Sequence, residues 1–208
     1  TETEITKPFA MMQTQVTQMM WARIKVLLGE TDINKINPSH FKDKDAQSSI
    51  PANIEGIEVR MQPDHPVEQV SWNDVVEYIN GLNKLSQSND HRVQEVLKRL
   101  IPGHQRGDIY DLPTEAQWEF VMRNRGQAEK QYFDRDDAKD LAPHAWHYSN
   151  SNSQTHEVAT RQPRMIDGKP FYDLEGNVWE WNKDSWDGSS PLPGGKDPIG
   201  TSGSFRVL

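Results

Sequence analysis

Two carboxylates, Asp173 and Glu180, flank a Gly176-Asn177 turn inside the run Phe171-Tyr-Asp-Leu-Glu-Gly-Asn-Val-Trp-Glu-Trp181. A hard cation takes oxygen ligands, and a short bent segment supplies them as carboxylates and main-chain carbonyls. Asp173 and Glu180 offer side chains, and a bend can turn the Gly176 and Val178 carbonyls inward. The four oxygens leave a hard cation's shell incomplete and do not follow the EF-hand spacing. The competing reading is a plain hairpin whose carboxylates face water. Val178-Trp179-Glu180-Trp181 alternates as a strand does, so a hairpin is the expected local structure.

Other chemistry-bearing residues are less organised. His144-Ala-Trp-His147 and His156 supply imidazoles, but the region reads as loop and a third ligand for zinc or iron is unplaced, so ordinary loop histidines are expected. No Gly-x-Ser-x-Gly elbow supports a serine nucleophile. Pro193-Gly194-Gly195-Lys196 lacks the strand-before, helix-after context of a phosphate loop.

The elements that must position these residues are few. Thr17 caps a helix over 18–28, with Met20, Ile24 and Leu27 on one stripe and Gly29 as its stop. Ser71 caps a second, with Asp74 at the third helical position and Val75, Ile79 and Leu82 as its apolar face. Thr114 caps a third, completed by Gln117, with Trp118, Val121 and Met122 inward and Gly126 as the end. Residues 91–100 form an additional helix, carrying Val93, Val96, Leu97 and Leu100 on one side, within an insertion over 84–110. The remainder reads as loops and short strands. Asp134-Arg135-Asp136-Asp137 is expected as a solvated turn and 187–203 as a mobile surface loop. With no internal repeat or composition shift, one domain over 1–208 is expected.

Composition narrows the function classes. Hydrophobic residues make up 34% of the 208, and seven tryptophans are expected to carry much of the burial. A formal net charge of −8, with no Lys/Arg stripe, argues against a nucleic-acid partner. No run approaches the ~20 apolar residues of a membrane span. Thr1-Glu2-Thr3-Glu4 has neither the basic nor the apolar region of a signal peptide. A processed bacterial chain that had shed an export signal would be periplasmic, surface-anchored or secreted. There are no cysteines, so redox usage gives no compartment.

Three segments occur in order: Pro66-Val-Glu-Gln-Val-Ser-Trp72, Leu112-Pro-Thr-Glu-Ala-Gln-Trp-Glu-Phe120 and Gly176-Asn-Val-Trp-Glu-Trp181. With Gln15-Val-Thr-Gln18, Trp21, Asn37-Pro-Ser-His-Phe41 and Phe205-Arg-Val-Leu208, the series resembles the formylglycine-generating enzyme (sulfatase-modifying factor) family. The resemblance implies an α+β, C-type-lectin-like fold with few short strands, about three to four helices and much irregular structure. It also implies a structural Ca2+ held by Asp173, Gly176, Val178 and Glu180. A second family calcium site is not matched by Asn150, Asn152 and Asp167. His65, in the lead-in to Pro66, is expected to be structural.

The family's oxidases bind copper through two cysteines and convert a sulfatase cysteine to formylglycine. Those cysteines follow an Arg-Gly-Gly-Ser-Trp segment that would come after Leu208. The resemblance therefore leaves three readings. The chain is a cysteine-free binding or maturation module, a truncated copper oxidase completed by further C-terminal chain, or a lectin-like receptor such as a retroelement variable protein. Its ligand, a protein or a small molecule, is not specified. Asp111 stands where the family commonly has Arg, so an ion pair there is expected to be absent or inverted.

Overall fold

The computed structural model describes residues 2–42, 50–125 and 141–208. The Asp134 cluster and Gly126 lie outside them. In chain order the elements are β1 (Thr3–Glu4), α1 (Gln18–Leu27), α2 (Ile33–Ile36), β2 (Ile50–Ile54), β3 (Ile57–Met61), α3 (Trp72–Ser86), α4 (His91–Leu100), α5 (Glu115–Met122), β4 (Arg164–Ile166), β5 (Lys169–Phe171), β6 (Ser185–Trp186), β7 (Gly195–Lys196) and β8 (Phe205–Arg206). Contacts divide the chain into two compact units, one of Gln15–Tyr110 with Gln154–Val158, the other of Thr1–Thr14, Asp111–Ser153 and Ala159–Leu208.

The unit containing Gln15–Tyr110 holds α1 to α4. Thr17 accepts from the Met20 amide at 3.3 Å, which satisfies one of the orphan donors of α1. Ser71 and Asp74 close a reciprocal capping box on α3, and Asp90 caps α4. The inner faces meet in a cluster of Trp21, Ile24, Tyr78, Leu82, Val93, Leu97 and Ile101. Trp21 stacks on Tyr78 with ring centroids 4.3 Å apart. The helix α4 is thus part of the core, and Leu97 is wholly buried.

Polar groups fasten the 84–110 stretch to the same core. Gln94 Nε2 donates to the carbonyls of Leu85, Ser86 and Ser88, which leaves Oε1 as the acceptor facing His104 Nε2 at 3.0 Å. His104 therefore carries its hydrogen on Nε2, and Nδ1 accepts from the Tyr110 hydroxyl at 2.6 Å. Asn83 pairs with the Tyr110 backbone through both amide atoms.

A second core region gathers Ala22, Ile36, Ile54, Val59 and Met61 under the β2–β3 hairpin, which turns at Glu55 and Gly56, both with positive φ. Beside it, Asn37 Nδ2 donates to Gln18 Oε1 and to the Arg60 carbonyl, each at 3.0 Å. The Gln62 amide donates to the same Gln18 oxygen, and Ser39 Oγ accepts from the Glu68 amide. The Gln15, Asn37 and Pro66 motifs are therefore parts of one buried lock.

In the other unit, Thr114 and Gln117 close a capping box on α5, and Asp184 accepts from the Glu115 amide at 2.8 Å. Val121, Met122, Ile166 and Leu174 form its core, with Trp118 and Phe171 packed against them. Its sheets are two-stranded: β1 with β7 in parallel, β4 with β5 and β6 with β8 antiparallel. The 187–203 stretch, expected as plain loop, supplies β7. Asp111, ahead of α5, forms an ion pair with Lys183.

The tryptophans do not carry the burial expected of them. Trp21 is 3% exposed, but Trp179 is 82% and Trp186 38% exposed, while the largest fully buried side chains are Ile24, Ile36, Met61 and Leu97. An indole offers a large area but is hard to enclose completely, whereas the smaller aliphatic side chains and methionine fill the narrow spaces between short elements. The described residues include five α-helices, one of them the four-residue α2 that the sequence reading did not expect.

Candidate functional site

The segment from Asp173 to Glu180 is bent and contains no strand. Asp173, Gly176 and Asn177 have φ of 55°, 89° and 62°. Gly176 lies against the backbone of Trp146, where a Cβ would stand 2.1 Å from the carbonyl oxygen. Glycine is required there twice over, by its left-handed φ and by this approach. The Asn177 amide donates to the same Trp146 carbonyl at 2.8 Å.

The expected hairpin strand at 178–181 is therefore corrected to a loop. Beyond the bend the Asn182 amide donates to the Val207 carbonyl and the Lys183 amide to that of Pro113, so the chain is tied to distant segments rather than to a neighbouring strand. The adjacent hairpin is β4–β5, turning at Asp167 and Gly168. An Asp-Gly pair between short apolar runs is the sequence signal that marks it.

Asp173 is 3% exposed. Its Oδ2 accepts from the Ala159 amide at 2.8 Å. Burial raises the Asp173 carboxyl above the usual carboxylate range, and the Ala159 bond opposes this. Glu180, half-buried, accepts from the Trp118 indole through Oε2 at 2.9 Å. Gly176 is exposed and Val178 half-buried. Neighbouring Trp146 is held by the Thr160 hydroxyl at its Nε1 and by the Arg161 guanidinium 3.5 Å above its ring.

Among the described residues, no three or more His, Asp or Glu side chains gather as metal ligands. A cation in the bend would thus draw on main-chain oxygens as well as carboxylates. His147 Nδ1 contacts Ser149 Oγ at 3.1 Å, and His65 Nδ1 contacts Thr155 Oγ1 at 3.0 Å. Sequence reasoning missed Ala159 and Trp118 as partners of the two carboxylates. Trp118 was visible only as a core residue of α5, and Ala159 carries no signal because its backbone does the binding.

The family model described as Sulfatase-modifying factor enzyme 1-like domain matches residues 1–208. The chain belongs to this family. Among curated relatives of this sulfatase-modifying factor domain, the bovine formylglycine-generating enzyme is 29% identical over 164 residues, covering 69% of this chain and 36% of that protein. The mouse enzyme is 30% identical over 155 residues, 69% of this chain and 34% of that protein. The chain thus spans about a third of the length of these enzymes. The chaperone protein LppX of Paenibacillus barcinonensis is 23% identical over 186 residues, 75% of this chain and 62% of that protein. Among solved structures, Treponema denticola variable protein 1 matches with a TM-score of 0.59 and 28% identity, over 93% of this chain and 69% of that one. The sulfatase-modifying factor domain here accordingly has the α+β, C-type-lectin-like fold. No helix among its described residues is long and apolar enough to cross a membrane.

Proposed function

We propose that this sulfatase-modifying factor domain is a calcium-stabilised binding or maturation module that does not itself oxidise cysteine. The non-oxidase part is a reading of these 208 residues by themselves, which contain no cysteine; cysteines further along the chain would belong to the oxidase alternative. Copper(I) is a soft ion that takes thiolate ligands, and these residues hold none to offer. Supporting the calcium part, the donors at Asp173, Gly176, Val178 and Glu180 are all oxygens, as a hard cation prefers. A carboxylate buried as deeply as Asp173 also gains from a neighbouring positive charge. When bound, calcium would supply charge compensation and cross-link main-chain carbonyls in a segment with little regular hydrogen bonding. The ion's affinity would then add to folding stability by mass action.

Thermal melts with and without chelator test the calcium part. Chelation is expected to lower Tm of the wild type, and Asp173→Asn with Glu180→Gln to abolish that response. Identical responses in wild type and double variant would remove calcium from this site. For the oxidase alternative, favoured by the two mammalian enzymes, the natural chain with whatever follows Leu208 is incubated with copper(I), oxygen and a sulfatase-type cysteine peptide. Formylglycine in the product would overturn the non-oxidase reading. A receptor role is the second reading, supported by the 93% coverage of this chain in the variable-protein match.

A further inference from the structure

The segment Gln154–Val158 belongs to the unit of Gln15–Tyr110, although the residues on both sides of it belong to the other. It is fastened to the loop before Pro66. The Val158 amide donates to the Asp64 carbonyl at 2.9 Å, and Thr155, 4% exposed, meets His65 Nδ1 through its hydroxyl at 3.0 Å. The backbone of His65 is fixed on its other side, where its carbonyl accepts from the Gln18 amide at the start of α1 and its own amide donates to the Gln62 carbonyl. These bonds hold the His65 backbone in place beside the strap.

We propose that Gln154–Val158 is an acid-releasable strap: it stays fastened while His65 is neutral and lets go when the His65 ring takes up a proton. The charged form is disfavoured by its surroundings. Burial, then the neighbouring His156, hold the His65 imidazole well below its ordinary value, at about 4, against a smaller opposing pull from Asp64. His156, in the strap, and Asp64, in the ring's own loop, are the charged groups acting on it, while from α1 the Gln18 amide bonds the His65 carbonyl. A protonated ring gains water and distance from His156 by opening the strap. The folded-state value lies below the ordinary 6.5, so the fastening is complete above that pH and is lost as pH falls through about 4.

Hydrogen exchange on the full chain, followed by NMR and corrected for intrinsic rates, tests this. The Val158 amide reports the strap, and the Ile101 amide, bonded to the Leu97 carbonyl, reports the core of the same unit. Between neutral pH and the titration range, Val158 protection is expected to fall about tenfold or more while Ile101 protection holds. His65→Gln should remove the pH dependence, and His156→Gln should shift release to higher pH. Val158 and Ile101 losing protection together, or His65→Gln keeping the acid response, would overturn the proposal. Should His65→Gln not fold, the wild-type ring titration read by NMR must share its midpoint with the loss of Val158 protection. Separate midpoints would also overturn it.

Discussion

The indole N–H of Trp118, on α5, donates to Glu180 Oε2 at 2.9 Å. This bond ties the Leu112 motif to the Gly176 motif, 62 residues apart in sequence. Trp118→Phe keeps the ring and deletes the donor. A partly buried bond to a carboxylate makes the expected loss about 1–2 kcal/mol, read from urea denaturation. An unchanged midpoint would show that water replaces the indole at no cost.

Gly176 and Gly56 separate two reasons for glycine. Both have positive φ, 89° and 91°, but a Cβ at Gly56 meets nothing within 4 Å whereas one at Gly176 meets the Trp146 carbonyl. Gly56→Ala should cost about 1 kcal/mol, the left-handed penalty alone. Gly176→Ala should cost clearly more, because backbone must move as well. Equal losses would mean that the Trp146 contact yields freely.

Glu68 offers a pH test away from the candidate site. Its Oε1 accepts from the Phe41 amide at 2.8 Å, and burial, the larger influence, raises its carboxyl above the usual range. A raised carboxyl means the folded chain holds its proton more tightly than the unfolded chain. Its stabilising effect is therefore present below about pH 4.5 and is lost as pH rises through the folded-state value. Glu68→Gln keeps an acceptor and removes the titration. The variant should match or exceed the wild type at neutral pH and lose that advantage in acid, as measured by denaturation across pH.

Leu97→Ala decides whether the 84–110 stretch is an appendage or part of the core. A wholly buried leucine in the Trp21 cluster predicts a loss of about 2–5 kcal/mol in denaturant unfolding. A loss below about 1 kcal/mol would mark α4 as peripheral.

Helix starts were legible because caps are local. Thr17, Ser71 and Thr114 each bond the amide three residues on, and α4 spans the residues that its apolar spacing marked. Strands were mostly illegible because their partners are remote. Thr3 pairs with Gly195 and Trp186 with Phe205, and neither segment is long enough to alternate. The two hairpins turning at Glu55-Gly56 and Asp167-Gly168 did carry readable turn residues. At the candidate site the sequence pointed to Asp173, Gly176, Val178 and Glu180 as oxygen donors. It was silent on the deep burial of Asp173, and it read a strand into 178–181 where the chain forms none.

Because Gln154–Val158 completes the unit begun at Gln15, that unit is finished late during synthesis. At about 5–20 residues per second, the four N-terminal helices wait some seconds on the ribosome for their last five residues. Through that interval His65 lacks its threonine and Asp64 its amide donor, leaving an open slot on the nascent protein. A ribosome-bound chain halted before residue 154 should therefore be cut by protease near His65, and one halted well beyond residue 158 should resist.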